Sequence, residues 1–221
     1  KISHNKLLSA VAYLVAATFP YIGLKKEMNL LPIFLLPYIA LLFLILLRTH
    51  KDTRVEDVAM VFMMSIGIPL SLSSAIYLRD NNGYTMGLFY LLLALCCAWY
   101  SDTGAYFVGR AWGKHKLCPQ VSPHKTVEGL VGGLVTCILL NLLTAFIFQK
   151  VSGYLGVPLQ INYLRLLLIS PLASLISVLG DLSFSMIKRG FSIKDFGNIM
   201  PGHGGVLDRF DSVLFTLPFI Y

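Results

Sequence analysis

Five of the eleven acidic residues, Asp102, Glu128, Asp181, Asp208 and Asp211, lie inside or at the ends of strongly apolar segments. A carboxylate at mid-bilayer costs about 2.5–3.5 kcal/mol on translocon scales, so carboxylates in such segments call for partners, water or a cation. Asp181, Ser185 and Lys188 follow one another at i, i+4 and i+7, a single helical stripe, and Asp208 and Asp211 form an i, i+3 pair. If both stripes face one cleft, Asp181, Asp208 and Asp211 make a hard oxygen site suited to Mg²⁺ rather than zinc. The same residues also suit a second reading, in which Asp181 and Asp208 pair with Lys188 and Arg209 as structural ion pairs.

Between those stripes run Lys188, Arg189, Lys194, Asp195 and Gly197, then Pro201-Gly202-His203-Gly204-Gly205. A loop this rich in glycine brings backbone amides close to a ligand, and amides ahead of a helix hold phosphate oxygens. Turns between helices use the same residues. Set beside the acids and the cations, the loop points to phosphoryl chemistry at a metal. Lys125 and Glu128, at i, i+3, read either as cavity-wall groups or as a plain pair at a helix start, and Gly129 with Gly133 makes a small-residue packing face.

The elements that position these groups are membrane helices. The chain is 56% hydrophobic and only 13% charged, against about 45–50% and about 25% in soluble domains. Alternating strands are absent, which leaves an all-α polytopic helix bundle as the way to satisfy the backbone in lipid. Hydropathy predicts seven spans, near 7–24, 30–47, 56–78, 84–101 with a polar extension to 109, 126–148, 161–187 and 205–221. No repeat or long linker interrupts them, so 1–221 reads as one membrane domain, with N-terminal helices over 1–83 and a catalytic half over 84–221. Lys1 to Leu24 lacks the small-residue cleavage site of a secretory signal, and a chain opening on Lys1 reads as trimmed.

With the N-terminus inside, Lys1, Lys6, Arg48, Lys51, Arg54, Arg110, Lys114, Lys116, Lys125, Lys188, Arg189, Lys194 and Arg209 fall on the cytosolic side. Lys25, Lys26, Arg79, Lys150 and Arg165 fall outside. This bias follows the positive-inside rule, and it places the acids beside a polar cavity facing the cytosol. It also accounts for the net charge of +7 without nucleic acid, because the cations lie in short loops rather than on one soluble face. Cys96, Cys97, Cys118 and Cys137 have no CxxC spacing and read as core packing.

Three stretches resemble one family. Ser185-Met186-Ile187-Lys188-Arg189, Lys194-Asp195-Phe196-Gly197 and Pro201 through Gly205 to Asp208-Arg209-Phe210-Asp211 are similar to the phosphatidate cytidylyltransferase signature. Met200 stands where an aliphatic residue is usual. Ser101-Asp102 to Glu128-Gly129, and Leu179-Gly180-Asp181-Leu182-Ser183, resemble the family's other polar segments. The likeness covers about 100 to 212, and family members commonly carry further N-terminal helices.

That family condenses CTP with phosphatidic acid to CDP-diacylglycerol and pyrophosphate. The resemblance implies that Asp181 and Asp208, supported by Asp211, hold Mg²⁺, and that a second cation such as K⁺ shares the site. It implies that Lys188, Arg189, Lys194, Asp195 and Arg209 form the catalytic surroundings of the phosphates, with His203 and the Gly204 and Gly205 amides on phosphate oxygens. Asp102, Ser122, Lys125, Glu128 and Ser185 are then substrate-binding. A homodimer in the cytoplasmic membrane of a prokaryote, or in an organelle membrane, is implied by the family alone. The alternatives are an ion- or proton-coupled transporter and a related CTP-dependent polyprenol or phytol kinase.

Overall fold

The computed structural model describes residues 5–24, 31–197 and 204–221. Two compact units divide the chain at Ser73 and Ser74.

The first unit holds α1 (Lys6–Leu24), α2 (Leu31–Arg48) and the beginning of α3 (Val55–Asn81). Leu8, Tyr38, Leu42, Ile45 and Val58 form its core. The Asn5 carboxamide oxygen accepts from the Leu7 and Leu8 amides at the start of α1, while its nitrogen donates to Thr49 and Thr53 beyond the end of α2. At membrane depth the Tyr38 hydroxyl is satisfied by Ser65 Oγ at 2.6 Å.

The second unit contains α4 (Tyr84–Trp112), a hairpin of β1 (Lys116–Cys118) and β2 (Ser122–Thr126), α5 (Val127–Tyr154), α6 (Tyr163–Gly190), α7 (Leu207–Phe210) and α8 (Val213–Ile220). Backbones of α4 and α5 approach closely because both lack bulk along the seam: a methyl at Gly133 would meet Ser101 O at 2.8 Å, and one at Gly129 would meet Ala105 O at 2.8 Å. The small-residue face expected of Gly129 and Gly133 is therefore the α4 contact. Hydrogen bonds add to this packing. Ser101 Oγ meets Ser174 Oγ at 2.6 Å, and Asn141 Nδ2 donates to Cys97 Sγ at 3.1 Å and Ser170 Oγ at 3.2 Å. Cys96, Cys97 and Cys137 are buried among these helices, as core packing requires.

Among the described residues the chain is all-α apart from the hairpin. Helices α3, α4, α5 and α6 are long and apolar enough to cross a membrane, and α1 and α2 contribute shorter apolar stretches, Lys6–Pro20 and Phe34–Arg48. Two elements differ from expectation. The predicted span at 205–221 is two short helices, α7 and α8, joined through Asp211 and Ser212, whose dihedrals remain helical. The basic stretch at 110–125, expected as a plain loop, holds the hairpin, in which Lys116 pairs with Thr126 and Cys118 with Ser122.

Candidate active site

A cavity of about 410 Å³ opens between α4, the hairpin, α5 and α6. Asp102, Tyr106 and Arg110 contribute one wall from α4, at successive i, i+4 positions. His124 and Lys125 enter from β2, and Asp181 from α6. Thr126, also in the wall, caps α5 by accepting from the Gly129 amide at 3.1 Å, so the strand that carries Lys125 runs straight into a helix start. Gly109 keeps α4 near that cap, where a methyl would meet Thr126 Oγ1 at 2.9 Å.

Lys125 Nζ forms an ion pair with Asp181 Oδ2, and both side chains are about three-quarters buried. Lys125 and Glu128 are therefore not the helix-start pair their spacing allows. Asp102 and Asp211 each lie close enough to Asp181 to repel it, and Lys125 is the cation that attracts both. Ser212 links the two outer acids: its hydroxyl donates to Asp102 Oδ2 at 3.1 Å and its amide to Asp211 Oδ1 at 2.7 Å. Asp102, Asp181 and Asp211 thus gather from α4, α6 and the α7–α8 junction.

Asp208 belongs to a neighbouring set. Lys188 Nζ donates to its Oδ1 at 2.8 Å, and the Phe196 and Gly205 amides each donate to its Oδ2 at 2.9 Å. The nearly buried Asp208 carboxylate is thus satisfied by one cation and two backbone amides. The ion-pair reading is realised for Lys188 with Asp208, whereas the partner of Asp181 is Lys125. Gly205 packs against Gly197, where a methyl would meet Gly197 N at 2.8 Å, and Gly204 adopts a φ of 84°, which favours glycine.

Asp195 Oδ1 and Asp208 Oδ2 both border Gly204, where an added methyl would meet them at 3.3 and 3.2 Å. Lys194, Asp195 and Arg209 are exposed, and exposed Arg189 donates to Val121 O at 3.5 Å. Ser185 is half-buried on α6 and Ser122 lies in β2 against Cys118, both outside the cavity wall. His203 lies outside the described residues. Among the described residues no three His, Cys, Asp or Glu side chains converge tightly enough to hold a metal ion as they stand.

Similarity to known proteins gives this geometry its family. The cytidylyltransferase family model matches residues 1–221. The chain belongs to the cytidylyltransferase family. This family member is 44% identical over 188 residues to a phosphatidate cytidylyltransferase of Bacillus subtilis, an alignment covering 83% of the chain and 66% of the relative. It is 50% identical over 134 residues to one from Staphylococcus saprophyticus and 46% identical over 134 to one from Staphylococcus haemolyticus, in each case covering 61% of the chain and 48% of the relative. The chain therefore spans from about half to just under two thirds of the length of these relatives.

Three cavity groups of this cytidylyltransferase-family chain escape a reading based on acids and glycines. Arg110 Nη1 donates to Tyr106 OH at 2.9 Å, and the continuation of the Asp102 stripe by i, i+4 steps is the signal that marks both. His124 carries no comparable signal, because its place in the wall depends on the hairpin.

Proposed function

We propose that this chain transfers the cytidylyl group of CTP to phosphatidic acid, giving CDP-diacylglycerol and pyrophosphate. The observation that carries this reading is the cavity, in which Asp102 and Asp181 share one space with Arg110, His124 and Lys125 in a member of the cytidylyltransferase family. Anionic phosphates and the cation that accompanies them need both signs of charge at one place. A phosphate oxygen of phosphatidic acid attacks the α-phosphorus of CTP, and the bond to the β-phosphate oxygen breaks to release pyrophosphate. No enzyme nucleophile is required, so positioning and charge neutralisation carry the rate.

The donor set fits Mg²⁺ in kind, since the gathered groups are all carboxylates. Asp181 and Asp208, supported by Asp211, are the residues we assign to it, and K⁺ is a candidate for a second cation. Mg²⁺ would supply neutralisation of phosphate charge. Because Lys188 now occupies Asp208, and Lys125 occupies Asp181, both lysines become available for phosphate oxygens once those acids take a cation. Arg189, Lys194 and Arg209 extend the positive surface, and His203 and the Gly204 amide are assigned to phosphate oxygens. The Gly205 amide already donates to Asp208, which suits it to shaping the loop. The basic loops favour a site facing the cytosol, the bacterial relatives favour the membrane of a prokaryote, and a homodimer is the expected assembly.

The test is an assay of purified protein with labelled CTP and phosphatidic acid, with and without Mg²⁺. Labelled CDP-diacylglycerol formed only with the metal supports the reading. A phosphorylated isoprenoid alcohol, or ion flux without CTP, would replace it with a kinase or a transporter.

A further inference from the structure

Glu128 stands at the start of α5, half-buried and outside the cavity wall. Its carboxylate is nonetheless among the most heavily engaged groups in this unit. Oε2 accepts from the Lys114 amide at 3.1 Å and from the His115 amide at 3.2 Å, and Oε1 meets His115 Nδ1 at 2.6 Å. The backbone repeats the link, with the Val127 amide donating to His115 O at 2.9 Å. Lys114 and His115 lead out of α4 into β1, and Glu128 follows β2 by two residues. One carboxylate therefore ties the entry of the hairpin to its exit, at the helix start where the dipole favours negative charge.

The tied segment is the one that delivers Lys125. Lys116 pairs with Thr126 at the base of the hairpin, and Thr126 caps α5. Lys125, next to Thr126, reaches Asp181 from this base. Without the tie, the three-residue β1 keeps the Lys116–Thr126 and Cys118–Ser122 pairings, with an irregularity between them, the Val127–His115 backbone bond and the Lys116 Nζ bond to Pro123 O at 2.7 Å, and an isolated two-stranded hairpin is marginally stable.

We propose that Glu128 is a positioning residue: by clamping Lys114 and His115 to the start of α5, it holds the 116–126 hairpin in the place from which Lys125 meets Asp181. The structural half of this inference stands without the proposed activity, and the kinetic half rests on it.

Hydrogen exchange on the whole protein in nanodiscs tests the structural half. Glu128→Ala should raise exchange of the 116–126 amides by at least about tenfold, the scale of lost hydrogen bonds to a charged group, with α6 amides unchanged. Glu128→Gln, which retains one amide-accepting oxygen, should fall between Ala and wild type. Wild-type hairpin protection in Glu128→Ala overturns the proposal. If Glu128→Ala does not fold, Glu128→Gln decides alone, and unaltered protection in it is equally fatal.

The kinetic arm is a double-mutant cycle in the CTP assay. Glu128→Ala in a Lys125→Ala background should cost less than about threefold further, because the two residues act through one side chain. Multiplicative losses, or a raised KM for CTP with hairpin protection intact, would make Glu128 a direct substrate ligand. A protein without cytidylyltransferase activity would end the functional reading and leave the exchange result to judge the clamp.

Discussion

Asp208 accepts three donors through two oxygens, and Asp181 accepts one lysine, so the two carboxylates are not equivalent. Replacing Asp181 with Asn removes the negative charge that holds Lys125 and, in the proposed reaction, an oxygen donor for the cation. Asp181→Asn should lower turnover by on the order of 10²-fold or more while helicity in detergent stays unchanged; near-normal rates would refute its role. Asp208→Asn acts differently, since an amide nitrogen facing either Lys188 or the loop amides leaves charge or donors unmatched in a nearly buried place. It should lower activity as severely and also make the chain near Gly205 more susceptible to limited proteolysis. Arg54→Ala, in a loop of the first unit, should keep most activity. That these acids need partners is legible in the sequence, because charge in an apolar chain is costly and helical spacing is periodic. Their partners are not, because Lys125 comes to Asp181 from a strand whose existence no local pattern announces.

Among elements, the α4–α5 seam depends on atoms that are missing from side chains. A side chain at Gly133 must displace Ser101 O or part the helices, so Gly133→Leu should destabilise the protein by about 1–3 kcal/mol and reduce turnover, since Asp102 sits on one of the helices being separated and Lys125 on the strand that leads into the other. Thermal unfolding in detergent measures the first effect and the CTP assay the second. Gly153, with nothing within 4 Å of an added methyl, is the matched control on the same helix, and Gly153→Ala should be neutral or stabilising by less than about 1 kcal/mol. This seam was foreseeable from two glycines four apart. The hairpin was not, because a three-residue and a five-residue strand offer too little alternation to separate from a loop, and they are held by Thr126 and Glu128 rather than by their own pattern. The break of the C-terminal apolar stretch into α7 and α8 is equally silent, since Asp211 and Ser212 keep helical dihedrals and the interruption lies in their side-chain bonds.

At the scale of the whole molecule, the distribution of charge sets which side of the membrane the cavity opens on. Cys118 lies in the hairpin, half-buried, while Cys96, Cys97 and Cys137 are buried inside the bundle, so this chain carries one cysteine suited to report the exposure of the cavity side. Lys150, near the far end of α5, lies on the opposite side if α5 crosses the bilayer. A membrane-impermeant maleimide should therefore label wild-type protein in inside-out vesicles and leave it unlabelled in right-side-out vesicles. Cys118→Ala should remove that labelling, because the buried thiols react only after denaturation. Lys150→Cys in the Cys118→Ala background should show the opposite sidedness. If both positions label from the same face, α5 does not span and the seven-span topology fails; if their sidedness is opposite but exchanged, the helices span with the cavity turned outward. In that second case phosphatidic acid and CTP would have to meet on a face where the cell keeps no CTP, so the orientation experiment bears on the proposed reaction as directly as the assay does.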